Sequence, residues 1–168
     1  MGGHIYVIDV SWGGHIPDYH RLFVQYFLNQ NYFVHSISPC PKEVGSWFSD
    51  LPNTSLKVMR VDRKIIETQG SIKYVRYFIH NILIRLSKRE NRFHNWIRKL
   101  LYTVQVWSSI NHIITKESTR TNIKPKIVLI NYIDQDFMVK GLSHFIVDMV
   151  FNFNWACMYL SPTEFIPE

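Results

Sequence analysis

The feature that most constrains this chain is the run His4 to Val10, HIYVIDV, which is short, β-branched and almost wholly apolar. A strand that alternates in polarity has one wet face, whereas a run like this one expects cover on both faces, as in the centre of a parallel sheet. The segment SWGGHIPD follows, a glycine-containing turn with Pro17 at or near a first helical turn. From Tyr19 to Asn29 the apolar residues Leu22, Phe23, Tyr26 and Phe27 recur at helical spacing. After a short polar turn, Tyr32 to Ile37 reads as a second strand. Strand, glycine loop, helix and strand in this order make a unit of the length that forms a parallel βαβ crossover.

The remaining chain continues the alternation. Pro39 and Pro41 end the second strand, and a loop containing Gly45 and Pro52 leads to a third strand near Leu56 to Val61. Residues 71–116 carry a helical pattern without proline or glycine, broken at the polar cluster Ser87-Lys88-Arg89-Glu90-Asn91. Two helices joined there read as an αα-hairpin. Lys126 to Tyr132 (KIVLINY) is a second clear buried strand, Leu142 to Phe151 an apolar helix, and Trp155 to Leu160 (WACMYL) a last strand. The expected fold is therefore α/β: a Rossmann-like three-layer α/β/α domain with a mostly parallel sheet and a helical hairpin insertion at about residues 71–116.

Length and composition narrow the class further. A chain of 168 residues supports one domain with a sizeable core, and 46% apolar with 19% charged residues is ordinary for a globular protein. The net charge of +6 favours phosphates, nucleic acid or anionic lipid without choosing among them. Cys40 and Cys157 lie far apart and in no metal-ligand spacing, which fits a turn residue and a buried strand residue in a reducing compartment. The opening MGGHIYVIDV lacks a basic region and a long apolar stretch, so a signal peptide is not expected. No segment offers the roughly 20 apolar residues of a spanning helix. The expected location is cytoplasmic, peripheral to a membrane at most. The sequence stops six residues after Pro162, where an open sheet of this type usually continues, so the domain is expected to be small or to have a second half elsewhere.

Three constellations carry possible chemistry. The first is Gly13-Gly14-His15 after the opening strand. Glycines let the backbone turn sharply and approach a ligand closely, and the following helix points free N–H groups and its positive end into the same crevice. The alternative is a tight turn with no ligand. The spacing is not G-x-G-x-x-G and no acidic ribose-binding residue follows the second strand, so a dinucleotide cofactor is disfavoured. His15 is a titratable donor within reach of phosphate or sugar oxygens. The other helical histidines, His20, His80, His94, His112 and His144, read as surface or partly buried residues.

The segment IYVIDVSWGGHIPDYHRLFVQYFLNQNYFVHSIS resembles the amino terminus of GT-B glycosyltransferases of the retaining, family-4-like kind. Its turn reads Gln30-Asn31-Tyr32-Phe33-Val34-His35, without the glycine that family commonly carries there. The resemblance covers about the first quarter of the chain. It implies an acceptor-side domain facing a second Rossmann-like domain that holds most of a nucleotide-sugar donor. Gly13, Gly14 and His15 would then approach the donor diphosphate, and the partners would be the donor, a saccharide or lipid-linked acceptor, and a donor-binding domain or subunit. The nucleotide-sugar is a substrate, and no cofactor is implied.

The second constellation is Asn131-Tyr132-Ile133-Asp134-Gln135-Asp136, at the carboxyl end of the strand KIVLINY, where open α/β sheets bind ligands. Asp134 or Asp136 is placed to bind acceptor hydroxyls or to assist their deprotonation, with Asn131 and Tyr132 as acceptor contacts. An N-cap for the next helix is the competing role of Asp136. The third is a basic helical region in which Lys73, Arg76, Arg85, Lys88, Arg89, Arg92, Arg98 and Lys99 interleave with Tyr74, Tyr77, Phe78, Phe93 and Trp96. That composition suits anionic head groups, with Arg85, Lys88, Arg89 and Arg92 facing the membrane, or an ordinary solvated face. No nucleic-acid module is legible. No His, Cys and Asp cluster has metal spacing, so no metal is expected. A transferase half needing a second domain is the function expected; a stand-alone flavodoxin-like binding module, or a membrane-surface interaction protein, is the alternative.

Overall fold

A computed structural model of the chain describes residues 3–50, 55–61, 92–131, 133 and 143–157. The chain divides into two compact units. The first comprises residues 1–60, 125–133 and 153–168, and the second residues 61–124 and 134–152.

The first unit holds the sheet. Its elements in chain order are β1 (His4–Ile8), α1 (Ile16–Asn29), β2 (Phe33–Ser38), α2 (Pro41–Trp47), β3 (Leu56–Arg60), β4 (Pro125–Ile130) and β5 (Trp155–Cys157). The five strands lie in the order β3-β2-β1-β4-β5, and every neighbouring pair is parallel. The expected mostly parallel, Rossmann-like sheet is thus parallel throughout its described strands. The consecutive residues Ile5, Tyr6, Val7 and Ile8 are all buried, which explains why HIYVI does not alternate in polarity.

Strand parity sorts the two faces. Ile5 pairs with Val34 and Val7 with Ser36, and on this side Val24 of α1 completes a core flanked by Phe23, Phe27, Leu28, Phe48, Leu56 and Ile127. The residues 20, 23, 24, 27 and 28 form the helical stripe that α1 turns inward. On the opposite side His4, Tyr6, Phe33 and His35 form a ring cluster. Tyr6 and His35 stack at 4.3 Å, and the imidazoles of His4 and His35 share a 2.9 Å hydrogen bond.

Two departures from expectation have local causes. The turn after α1 lacks glycine, yet Asn31 takes φ 61°, the left-handed conformation that asparagine tolerates better than most residues. Helix α2 arises where two prolines and Gly45 predict a loop; Pro41 opens it, with no N–H to leave unpaired, and Val44 anchors it in the core.

In the second unit, α3 (Arg92–Thr121) is a single helix of 30 residues, about 45 Å long at 1.5 Å per residue. It continues past the expected end at Lys116. The expected break at 87–91 lies outside the described residues. Thr103, Val106, Trp107, Ile110, Ile114 and Glu117 recur at helical spacing among its buried positions, and Gln105 and Ser109 widen the buried face. Asn122, at φ 53°, closes the helix: its N–H reaches Thr119 O and that of Ile123 reaches Ser118 O, a Schellman arrangement. Helix α4 (Ser143–Val150) follows later in the chain, and Phe151 meets Trp107 edge-on at 6.3 Å.

Candidate functional site

Three central strands turn polar at the same level. Asp9 follows β1, Asn131 follows β4, and Ser38 ends β2. The bonds Asp9 N–H to Ile37 O (3.0 Å) and Asn131 N–H to Ile8 O (3.2 Å) carry the sheet pairing one residue further, so Ser38, Asp9 and Asn131 form a row across its carboxyl edge. Open α/β sheets bind their ligands outside this edge.

Asp9 is the hub of a buried network. Its Oδ2 lies 2.5 Å from His20 Nδ1 and accepts a hydrogen bond from Asn131 Nδ2 at 2.5 Å. His20 Nε2 lies 2.7 Å from Ser36 Oγ. Asp9, His20 and Ser36 have no exposed surface. Burial pushes the Asp9 carboxyl above its ordinary value, and the His20 contact and the Asn131 amide offset part of that rise. A carboxylate on Nδ1 holds that nitrogen as the donor, leaving Nε2 to face the serine. Carboxylate, imidazole and hydroxyl are connected as in a serine hydrolase. Here, however, the hydroxyl is sealed inside β2 under α1, so the connection ties elements together and meets no substrate in this conformation.

What it ties together is the glycine loop. Asp9 stands at the loop's first end and His20 one turn into α1, so their contact clamps both ends of the segment between them. Trp12 within the loop adds a second tether. Its Nε1 donates to Glu43 Oε2 at 2.8 Å, its ring stacks on Trp47 of α2 with centroids 5.8 Å apart, and it makes a T-shaped contact with His20 at 5.5 Å between centroids.

Above this base the loop is open. A Cβ placed on Gly13 or Gly14 would meet no atom within 4 Å. Gly14 has φ +57°, which favours glycine, and the His15 side chain is 89% exposed. His15 occupies the N-cap of α1 without a side-chain capping bond. Asp18, 3.8 Å from His15, places a carboxylate in the first helical turn, where it stabilises the positive end and competes with any bound anion.

Of the residues expected from sequence to form a site, the structure places Gly13, Gly14 and His15 together on the loop and puts Asn131 in the buried row, hydrogen-bonded to Asp9. Tyr132, Asp134, Asp136, Arg85, Lys88 and Arg89 lie outside the described residues, and Arg92 is the first residue of α3. The expectation that His20 is a surface or partly buried residue is corrected: it is 0% exposed, because Asp9 and Ser36 satisfy both ring nitrogens and permit its burial. Cys157, expected to be buried, is half-buried on the edge strand β5. Sequence reasoning passed over Asp9, Ser36 and Ser38. A signal for the row existed: HIYVI is followed by Asp9, FVHSI by Ser38 and KIVLI by Asn131.

Among the described residues no group of three or more His, Cys, Asp or Glu could hold a metal ion, and no helix is long and apolar enough to cross a membrane. No protein-family model, curated protein or solved structure matches the chain.

Proposed function

We propose that this chain is the acceptor-side, Rossmann-like half of a GT-B glycosyltransferase. It would help transfer a sugar from a nucleotide-sugar to a saccharide or lipid-linked acceptor, with a second domain or subunit holding most of the donor. The observation that carries this reading is the Gly13-Gly14-His15 loop. It is open to solvent, free of side-chain obstruction, turned by the left-handed Gly14 and joined to the start of α1, which has no side-chain cap, at the carboxyl edge of a parallel sheet. Backbone N–H groups and the helix dipole at such a place favour a diphosphate. His15 would add a donor to the phosphate oxygens. Asn131, with Tyr132, Asp134 and Asp136 after β4, would face the acceptor, and the basic stretch from Arg85 to Arg92 would rest on anionic lipid where the acceptor is membrane-bound.

Such a half-site binds nucleotide weakly by itself, with Kd on the order of 1 mM, because the loop offers only part of the contact surface. Calorimetric titration with UDP, GDP and their sugars tests this. Weak binding that is lost in Gly14→Val supports the reading, and tight binding with sugar transfer by this chain alone overturns it. One observation favours a second reading, a binding module with no phosphate ligand: Asp18 already occupies the first turn of α1. In that case Asp18→Asn leaves nucleotide affinity unchanged, whereas the transferase reading expects Asp18→Asn to raise it.

A further inference from the structure

The buried row at the carboxyl edge has more hydrogen-bonding capacity than the loop clamp uses. Ser38 and Asp9 are 0% exposed and Asn131 is 2% exposed. Yet Ser38 Oγ, Asp9 Oδ1 and Asn131 Oδ1 each lack a hydrogen-bond partner among the described residues. Buried polar atoms are nearly always paired, so three adjacent exceptions on neighbouring strands point to recognition of a ligand rather than to packing.

Their position agrees. The chain steps from β1 outward to β2 and β3, then returns to the other side of β1 as β4. The direction of winding therefore reverses between β1 and β4, and crevices at such reversals are where open sheets hold ligands. Asp9 and Asn131 are the first residues beyond those two strands.

Their chemistry selects the ligand. The Asn131 amide nitrogen is committed to Asp9 Oδ2, which leaves its Oδ1 as an acceptor. Asp9 Oδ1 is a carboxyl oxygen, and Ser38 can accept or donate. A row of acceptors centred on a carboxylate repels phosphate and takes hydrogen-bond donors. We infer that Ser38, Asp9 and Asn131 form a subsite for the hydroxyl groups of a neutral saccharide at the β1–β4 crevice, distinct from the phosphate-facing glycine loop. This rests on the acceptor-side reading and adds Asp9 and Ser38 to it. The row has almost no exposed surface in the free chain, so saccharide reaches it only when this edge opens, and Trp12, in a T-shaped contact with His20, reports on that opening.

The test is NMR titration of the labelled full chain with glucose, galactose, mannose and N-acetylglucosamine in turn, following the Asn131 side-chain amide, the Trp12 indole N–H and the Asp9 carboxyl carbon. At least one sugar is expected to shift all three signals at millimolar concentration. Asp9→Asn keeps the shape, can still accept from His20 and Asn131 through its oxygen, and turns the unpaired acceptor into a donor. It is expected to weaken that sugar about tenfold or more, as loss of a hydrogen bond to a charged group does. Ser38→Ala, a smaller change, is expected to weaken it about threefold to tenfold while leaving the fold intact. Wild-type affinity in both variants, or a sugar that shifts other signals but not these three, overturns the inference. No response to any of the four sugars also overturns it. UDP titration of the same sample reads Gly13 and Gly14 separately, so failure of the glycosyltransferase reading appears there as loop amides that do not respond.

Discussion

The glycine loop and the buried polar network that anchors it have opposite physical characters. Gly13, Gly14 and His15 are exposed, make few contacts and cost the fold little. Asp9, His20, Ser36 and Asn131 are buried, share short hydrogen bonds and sit between the central strands and α1. An open loop is useful for binding only if its ends are fixed, since otherwise every contact must also overcome the entropy of ordering the loop. The contrast assigns nucleotide affinity to the loop and the loop's geometry to the network, so nucleotide binding and stability should respond separately to changes in the two places.

The largest expected effect is at His20. His20→Ala strips Asp9 and Ser36 of a buried partner at once and should cost about 3–5 kcal/mol, measured by urea unfolding. A loss below about 1 kcal/mol would mean that the network is dispensable. Asp9→Asn comes next: it weakens hydrogen bonds to His20 and Asn131 worth about 1–3 kcal/mol, a cost largest at low pH and smaller near neutral pH, where the buried carboxyl is itself destabilised by ionising. It also carries a pH signature. A carboxyl whose folded pKa is raised stabilises the fold fully below its unfolded value of 3.8, and that contribution is lost as pH rises through the folded value. Wild-type stability should therefore fall over part of the range above pH 3.8 relative to Asp9→Asn. Parallel profiles would remove the role of burial.

In the loop the effects are smaller. Gly14→Ala should cost about 1–2 kcal/mol, because φ +57° is unfavourable for a residue with a Cβ, although the space there is open. Gly13→Ala, which has open space and no positive φ, should stay within about 0.5 kcal/mol. His15→Ala, at an 89% exposed side chain, should likewise leave stability within about 0.5 kcal/mol while weakening nucleotide binding. Equal costs at Gly13 and Gly14 would show that the left-handed turn is not what the second glycine provides.

The legible parts of this sequence are those in which one residue type has one use. The apolar run HIYVI announces a strand buried on both faces and the paired glycines mark the βα turn, because such burial and a positive φ leave few other solutions; KIVLI announces a second parallel strand, although Lys126 is exposed and Ile127 and Leu129 are half-buried. Asn31 and Asn122 illustrate a weaker signal: either could be a surface residue, and only the chain path makes them left-handed caps. Helix α2 was hidden because Pro41 opens helices as well as ending strands, and Val44 is its only fully buried residue. The buried network was hidden because a helical histidine is ordinarily exposed or solvated. Pairing of His20 with Asp9 and Ser36 depends on register between α1, β1 and β2, which no local pattern encodes. The row of Asp9, Ser38 and Asn131 could have been found by asking what residue follows each buried strand.

The central claim is that the glycine loop is the ligand-facing element and that its function is separable from the stability of the sheet below. The most direct test is a paired measurement on Gly14→Val, with calorimetric titration of a UDP- or GDP-sugar and urea unfolding of the same preparation. The account predicts loss of the weak nucleotide affinity of the wild type together with a stability change of about 2–3 kcal/mol, above that of Gly14→Ala because a β-branched side chain is poorly tolerated in the left-handed region. Unchanged affinity in a folded Gly14→Val protein would contradict it, because a loop that tolerates an isopropyl group where the diphosphate should lie is not the binding element.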